Sequence, residues 1–206
     1  MSDSSEHNPN KTHVTILGVG QMGLVCANVL ALERAGPTAE VVMWGHSPDE
    51  IGRVAQTRRS DRLKGFVLPD SVRVELTDEQ ALAGADLIVS AVPVQFMRSV
   101  WERLRAHVPP GAGVVSVAKG IENETLLRPT QIIADVLGDD PDGLPRPLAA
   151  LSGPTIASEL ARCMPATMAV ASDDPAFADR VQKLFSTSWL RIYTNPDVLG
   201  VELAGA

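Results

Sequence analysis

The amino-acid sequence predicts an α/β fold with a doubly wound, mainly parallel sheet, and three observations support this prediction. Short β-branched runs alternate with amphipathic helical patterns over most of the chain, as in proteins whose helices cover both faces of a sheet. Residues 86–92 (DLIVSAV) and 113–118 (GVVSVA) are nearly continuous apolar runs, which is typical of parallel strands buried on both faces. A glycine-rich turn also separates the first strand-like run, residues 13–17, from the first helical pattern.

The first half of the chain supplies five predicted strands and the helices between them. Apolar residues recur with helical spacing from Met22 onwards, until Gly36 and Pro37 end the helix. A later helix, at residues 95–106, is expected to turn its apolar side chains towards the core, namely Phe96, Val100, Trp101 and Leu104. The other elements expected here are strands at residues 40–44, 72–75, 86–92 and 113–118 and a short helix at 78–82.

The second half adds three strands and ends in a segment of a different kind. Strands are expected at residues 148–151, 166–172 and 189–193, and helices before Gly138 and at residues 155–162 and 175–185. Thr194 or Asn195 can cap a last helix that begins after Pro196. The apolar side chains of that helix need a partner surface. We therefore expect a disordered tail at residues 1–12, a nucleotide-binding domain at 13–193, and the truncated start of a helical second domain at 194–206.

The composition excludes several classes of protein. A chain of 206 residues with 45% hydrophobic content can build a core, and its length corresponds to about 1.4 domains. The net charge of −7 argues against a nucleic-acid binder, because such proteins usually carry a basic excess. The two cysteines lie outside any metal-binding pattern and fit a reducing compartment. With a polar N-terminus and no uninterrupted apolar span, the chain is expected to be cytoplasmic, without a metal and not bound to a membrane.

The glycine turn has the spacing of a dinucleotide-binding motif. Gly18, Gly20 and Gly23 form a GxGxxG that follows a strand and opens a helix. In such a turn the first glycine permits the tight bend, the second lets a pyrophosphate approach, and the third lets the helix pack on the strand. Gln21 and Met22 would lie at the helix N-terminus, where backbone N–H groups point at the phosphates. The motif predicts a Rossmann-like sheet that binds NADP or NAD.

The end of the second predicted strand bears on the choice between these cofactors. An NAD site usually has a carboxylate there that binds the ribose 2′-hydroxyl, but this chain has His46 and Ser47. These residues tolerate a 2′-phosphate better than an aspartate would. Basic residues that could assist follow at Arg53, Arg58 and Arg59. We therefore expect NADP to bind at least as well as NAD, unless these arginines form a solvated helix face.

Three further strand ends carry candidate ligand-binding residues, because ligands of doubly wound sheets bind beyond the carboxyl ends of the strands. Pro93 ends one buried strand and exposes backbone beside the cofactor site. Lys119 follows the next buried strand, where its ammonium either binds an anionic substrate or simply reaches solvent. Gly153 and Thr155 lie in a small-residue turn before a helix, which is either a ligand-binding turn or an ordinary capped helix start.

Taken in order, these turns carry a resemblance to a known family. From His13 onwards, nearly the whole chain resembles the N-terminal domain of NAD(P)-dependent glycerol-3-phosphate dehydrogenase. The segments that match are GVGQMG, VVMWGH, GFVLP, ADLIVSAVPVQ, VSVAKGIE, LSGPTIASELA and RIYTNPDVLGVELAGA. The series AKG, SGPT and GVEL is far more specific than the glycine motif alone.

The resemblance implies interconversion of sn-glycerol 3-phosphate and dihydroxyacetone phosphate by hydride transfer, feeding glycerophospholipid synthesis. It implies a small phosphate substrate and leaves room for a homodimer of the full-length protein. The implied substrate contacts are Lys119, Gly153 and Thr155, and the implied cofactor contacts are Gln21, Met22, His46 and Ala157, with Lys119 near both. The family's general acid/base lysine is expected just after Ala206, so the resemblance places no catalytic residue within this chain, which is expected to bind cofactor with little or no turnover.

Several positions depart from the family pattern and keep alternatives open. Gln21 and Met22 replace a Ser or Asn followed by an aromatic residue, and they are similar to the turn of 6-phosphogluconate-like β-hydroxyacid dehydrogenases. The family's Tyr-Leu-Pro-Gly loop is replaced by residues 62–65 (RLKG), and Val94 replaces a usual Ser. The alternatives to the main interpretation are therefore such a dehydrogenase, or a non-catalytic NAD(P)-binding module.

Overall fold

In the described part of the chain, eight strands form one sheet that is covered by helices. The computed structural model describes residues 11–32, 38–138 and 143–205. The strands are β1 (Lys11–Leu17), β2 (Thr38–Trp44), β3 (Arg73–Val74), β4 (Leu87–Ser90), β5 (Gly113–Ser116), β6 (Leu148–Ser152), β7 (Ala166–Ala171) and β8 (Leu190–Asn195). The helices are α1 (Gln21–Ala31), α2 (Pro48–Thr57), α3 (Asp78–Leu82), α4 (Val94–Leu104), α5 (Pro129–Leu137), α6 (Ala157–Leu160), α7 (Pro175–Phe185) and α8 (Val198–Gly205).

The strand order is β3-β2-β1-β4-β5-β6-β7-β8. All neighbouring strands are parallel except β6 and β7, which pair antiparallel. A short connection that contains α6 returns the chain beside β6 in the opposite direction, and α7 then crosses over to β8. The predicted doubly wound sheet with extra C-terminal strands is confirmed.

Two hydrophobic clusters show that helices cover both faces of the sheet. Successive residues of β2 alternate between them, with Met43 in one cluster and Val42 and Trp44 in the other. The first cluster takes its helical side chains from α1, α2, α6 and α7, and the second from α3, α4 and α5. Strands covered on both sides explain the nearly continuous apolar runs of the central strands.

Two predicted boundaries and one predicted core residue need correction. Lys11 and Thr12 belong to β1 rather than to a tail, because their partners in β2 extend the parallel ladder to Thr38. The rest of the predicted tail, and the predicted helix end at residues 36–37, lie outside the described residues. Phe96 does not face the core and is 64% exposed. Helix α4 begins at Val94, and Met97 takes the place of Phe96 in its buried stripe, whereas the predicted core residues Val100, Trp101 and Leu104 are confirmed.

Helix α8 packs against the sheet and is tied to α5 by a buried carboxylate. Val201 contacts the cluster formed with Ala150 and Ala171. The Glu202 side chain is 3% exposed and accepts hydrogen bonds from the N–H and hydroxyl of Thr130, at 2.9 and 2.8 Å, and from Arg128. The partner surface expected for this helix therefore includes the end of the sheet, although Leu199 and Leu203 remain exposed.

The cap of α8 differs from the prediction. The Asp197 carboxylate accepts the Gly200 N–H at 2.8 Å, and Asn195 in turn accepts the Asp197 N–H at 2.8 Å. Asp197, rather than Thr194 or Asn195, therefore caps the helix. Helix α6 is also shorter than the predicted residues 155–162, because Thr155 is held in a turn by Gly153 and Cys163 has a left-handed backbone.

Within the described ranges, no helix has the length and apolar character needed to cross a membrane. The same part of the chain contains no group of three or more His, Cys, Asp or Glu residues placed to hold a metal ion.

Candidate functional site

The candidate site lies where the carboxyl ends of β1, β4, β5 and β6 meet at one edge of the sheet. These four strands are parallel neighbours, so the turns that follow them come together. The chain continues from β1 to β2 on one side and places β4 on the other, which makes the gap between β1 and β4 the topological switch point. Ligands of doubly wound sheets bind at this point. The predicted residues Gly18, Pro93, Lys119 and Gly153 all follow these strands.

The three glycines of the turn after β1 differ in what surrounds them. Gly18 has a φ of +116°, and a Cβ there would lie 2.7 Å from the carbonyl oxygen of Ala91. A Cβ at Gly23 would collide with the carbonyl oxygen of Gly18, because α1 crosses the strand closely here. A Cβ at Gly20 would meet no atom within 4 Å. The fold itself therefore requires the outer two glycines, whereas Gly20 borders open space.

The N-terminus of α1 faces this open space. Gly20 is its N-cap, with no side-chain hydrogen bond, and helix geometry leaves the N–H groups of the first turn without acceptors inside the helix. Met22 is half-buried and Gln21 is exposed. The Gln21 side chain donates to the carbonyl oxygen of Arg62 at 2.7 Å, which ties the loop after α2 to the glycine turn.

One cavity, of about 370 Å³, extends from the glycine turn to the end of β2. His46, Ser47, Pro93 and the exposed Phe96 line it. His46 lies edge-on to Trp44, with 6.4 Å between the ring centroids. Sequence reasoning missed Phe96 as a residue of this cavity because it assigned the side chain to the core.

A second residue missed from the sequence is Arg103. Its Nη1 lies 3.4 Å from Nδ1 of His46, and its guanidinium stacks over Trp44 at 5.2 Å from the ring centroid. Two bonds of 2.7 Å to Asp78 hold it in place. Arg103 lies on α4, far along the chain from β2, so no local pattern could have placed it beside His46.

The arginines predicted to assist at a 2′-phosphate are used differently. Arg58 donates to the carbonyl oxygens of Pro69 and Val72 and so holds its own loop together. Arg53 pairs with Asp61 at 3.2 Å, and together with Arg59 it lines a neighbouring cavity.

The basic residue that does line the cavity beside His46 is Arg62. It is paired with Glu50 through an Nε–Oε1 distance of 2.5 Å. The hydrogen bond that Arg62 donates to Glu50 raises the pKa of the Arg62 guanidinium, which therefore stays charged at any physiological pH.

A larger cavity, of about 800 Å³, continues from Gly20 to the turns after β5 and β6. It shares Gly20, Arg62 and Pro93 with the first cavity, so the two form one cleft. Lys119, Thr155 and Ala157 also line it. Lys119 is exposed, and its Nζ donates to the carbonyl oxygen of Gly153 at 3.3 Å.

The turn after β6 combines a packing role with unsatisfied polar atoms. A Cβ at Gly153 would lie 2.7 Å from the carbonyl oxygen of Thr167 in β7, so the sheet itself requires this glycine. The neighbouring Ser152 lines the large cavity, and its buried Oγ has no hydrogen-bond partner. This hydroxyl faces α8, since a Cβ at Gly205 would lie 2.2 Å from it, so the polar group offered here to a small anionic ligand is the exposed Lys119 ammonium.

The fold and the cleft together define a dinucleotide-binding domain. An extended cofactor can lie across the switch point with its phosphates at Gly20, where a Cβ would meet nothing, and with one end beside His46. The other end would reach the cavity that contains Lys119. The residues present therefore fit NAD or NADP.

Comparison with known proteins identifies the family. The model described as NAD-dependent glycerol-3-phosphate dehydrogenase N-terminus matches residues 13–178. The chain therefore belongs to this family, whose members use NAD or NADP.

Individual relatives agree with the assignment. The glycerol-3-phosphate dehydrogenase (NAD(P)+) 2 of Lactobacillus delbrueckii subsp. bulgaricus is 39% identical over 193 residues, which cover 94% of this chain and 56% of the relative. The enzyme of Mycobacterium leprae is 40% identical over 197 residues, which cover 95% of this chain and 55% of the relative. The crystal structure of glycerol-3-phosphate dehydrogenase from Coxiella burnetii superposes with a TM-score of 0.84 at 27% identity, over 96% of this chain and 57% of that one. The chain thus spans about half the length of the relatives it matches.

Proposed function

We propose that this chain is the cofactor-binding domain of a protein that interconverts sn-glycerol 3-phosphate and dihydroxyacetone phosphate. NAD(P) held by the residues of the cleft would supply the hydride acceptor for oxidation of the substrate's alcohol carbon, and a base would take the hydroxyl proton. The relatives named glycerol-3-phosphate dehydrogenase support this reaction, which would feed glycerophospholipid synthesis. The family resemblance expects the base to be a lysine beyond Ala206, so turnover is proposed for the full protein.

The residues of the cleft are assigned by their position in it. Gly18, Gly20, Gln21, Met22 and Gly23 would hold the phosphates at the N-terminus of α1. At the two ends of the same cleft, His46 would contact the ribose of the adenosine, and Pro93, Lys119 and Ala157 would contact the nicotinamide half. These contacts orient the cofactor and exclude water from its reactive face.

The substrate is assigned to the far end of the cleft. Lys119 carries a positive charge at the carboxyl end of β5 and is held by the Gly153 carbonyl oxygen. Its ammonium would attract the substrate phosphate or stabilise negative charge on the reacting oxygen. Thr155 would add a hydroxyl, and the Gly153 turn would bring backbone close to the substrate.

The observation that carries the proposal is the open space at Gly20, between the helix N-terminus and a cleft that leads to Lys119. Gly20→Asp tests it, because an aspartate at the N-cap favours the helix while its charge repels cofactor phosphates. Gly52→Asp is the matched control: it makes the same charge change at a helical glycine whose Cβ would also meet nothing within 4 Å.

The assay is fluorescence titration with NADPH and with NADH. Gly20→Asp is expected to lower the affinity for both cofactors by at least about 10-fold, the loss expected for one charge-assisted hydrogen bond. Gly52→Asp should leave both affinities unchanged. Unchanged affinity in Gly20→Asp would refute the placement of the phosphates. In the full protein, turnover of a sugar acid instead of dihydroxyacetone phosphate would refute the proposed substrate.

The proposal extends to domain organisation, compartment and assembly. We place the nucleotide-binding domain from the start of β1 to the end of β8, residues 11–195, and the start of a helical second domain after it. A cytoplasmic location is supported by the free thiol of the exposed Cys163, since exposed thiols persist in reducing compartments. A homodimer of the full protein is tested by its native mass.

A further inference from the structure

The ion pair between Arg62 and Glu50 occupies the part of the cleft where the adenosine end of the cofactor would lie. The two side chains form a fork, with Nε–Oε1 at 2.5 Å and Nη2–Oε2 at 3.3 Å. The Arg62 side chain is 60% exposed and that of Glu50 is 25% exposed. Both residues line the same cavity as His46 and Ser47. A solvent-facing charge pair is therefore built into the wall of the site.

The backbone on both sides of this pair is anchored to the site. Gln21 donates to the Arg62 carbonyl oxygen at 2.7 Å, which holds the Arg62 loop over the N-terminus of α1. Glu50 lies in the first turn of α2, where its N–H donates to the Ser47 hydroxyl at 3.4 Å. Ser47 follows the end of β2, where NAD sites carry their ribose-binding acid. The Glu50 carboxylate lies a few residues beyond that position and lines the same cavity.

Arg62 differs from the other arginines near this cleft in what holds it. Arg103 is pinned to Asp78 by two bonds and covered on one face by Trp44. Arg58 is committed to backbone carbonyl oxygens. The partner of Arg62 is a carboxylate of the cleft itself, and a guanidinium has five N–H donors, of which Glu50 takes two. The remaining donors can bind an anion without breaking the pair.

We propose that Arg62 binds the 2′-phosphate of NADP and that Glu50 opposes it, so that this pair sets the preference between NADP and NAD. This inference rests on the proposed cofactor site. Guanidinium and phosphate form strong forked hydrogen bonds, whereas the neighbouring carboxylate repels the phosphate. Without Arg62, the freed Glu50 carboxylate can accept hydrogen bonds from the ribose hydroxyls of NAD instead.

The test measures dissociation constants for NADPH and NADH, and for the fragments 2′,5′-ADP and 5′-AMP, which isolate the adenosine end. Arg62→Ala is expected to weaken the binding of NADPH and of 2′,5′-ADP by about 10-fold or more, as for the loss of a charge-assisted hydrogen bond. NADH and 5′-AMP should bind as well as before or more tightly. Glu50→Gln removes the opposing charge and should shift the preference the other way, towards NADPH. Arg62→Lys keeps the charge without the fork and should fall between wild type and Arg62→Ala.

Two arginines serve as matched controls. Arg53 is 61% exposed and is also paired with an acid, Asp61, but it lies in the neighbouring cavity. Arg53→Ala should therefore leave the ratio of the two affinities unchanged. Arg103 is the other cation beside His46. If Arg103→Ala loses the preference for NADPH while Arg62→Ala keeps it, the proposal is overturned.

The remaining outcomes separate this inference from the proposed function. If wild type binds both cofactors and Arg62→Ala weakens them equally, the 2′-phosphate assignment is refuted while the cofactor site stands. If wild type binds neither cofactor, the proposed function fails and this inference fails with it. Unchanged binding of 5′-AMP to Arg62→Ala shows that the variant keeps a folded site, so a selective loss of 2′,5′-ADP supports the proposal.

Discussion

Removal of the Glu202 carboxylate should detach α8 from the rest of the domain. This carboxylate accepts bonds from the N–H and hydroxyl of Thr130 and from the Arg128 guanidinium. Its side chain is 3% exposed and that of Arg128 is 18% exposed. Glu202→Ala would therefore leave a buried cation and two buried donors without an acceptor at the N-terminus of α5.

The size of the effect follows from the burial of these groups. Breaking a buried ion pair by removing one partner costs about 3–5 kcal/mol, which for a protein of this size lowers Tm by roughly 6–20 °C. Glu202→Gln keeps the volume and one acceptor oxygen, but its amide group faces a donor in either orientation, so we expect a loss of about 2 kcal/mol. Glu124→Gln is the control, because this glutamate is exposed.

Urea denaturation measures the free energy of unfolding, and hydrogen exchange shows where protection is lost. We expect faster exchange in α8 and in the first turn of α5, with the glycine turn unaffected. An unfolding free energy of Glu202→Ala within about 0.5 kcal/mol of wild type, the range of neutral surface substitutions, together with unchanged exchange in α8, would refute the reasoning.

Two further predictions concern titratable groups away from the cleft. Hydrogen bonds from Arg98 and Thr125 lower the pKa of Glu122, so its stabilisation is present above the unfolded pKa of about 4.3 and is lost as the pH falls through the lower folded value. The urea midpoints of wild type and Glu122→Gln should therefore begin to converge as the pH falls below the unfolded pKa, and a constant difference would contradict this. Burial raises the pKa of Cys26 to about 12, so a thiol reagent should label one cysteine per native chain, the exposed Cys163, and labelling of both would contradict this.

Local signals allowed some elements to be predicted to the residue. Helix α7 begins at Pro175 because Asp174 accepts the N–H of Ala176 at 2.9 Å. Helix α3 begins after Thr77, whose hydroxyl accepts the N–H of Gln80. Such caps are visible in the sequence because the capping residue and the capped N–H are two or three residues apart. The apolar runs likewise predicted the strands and their carboxyl ends, and so placed Lys119 and Gly153 at the same edge of the sheet.

The roles of the arginines could not be predicted, because they depend on the path of the loop after α2. The sequence offers nothing that distinguishes the roles of Arg53, Arg58 and Arg62, because all three follow the end of β2. The loop turns Arg58 towards two carbonyl oxygens and lays Arg62 across the cleft. Phe96 was misassigned because it is next to the buried Met97, and neighbouring positions on a helix point in directions about 100° apart, so that Phe96 is exposed.

The glycines show how much a motif says about a ligand and how much about a fold. Gly18 and Gly23 were predicted for the tight bend and the packing of the helix, and Gly153 for the close approach of a ligand, and a Cβ at each of the three would meet backbone of the protein itself. Their presence is explained by the turn after β1 and by the packing of β6 against β7, with no ligand required. Gly20 has no such explanation, because its Cβ would point into open space. The fold leaves Gly20 free to vary, and this residue lies at the mouth of the cleft, beside the N–H groups of a helix N-terminus. The identity of Gly20 therefore reports on the ligand.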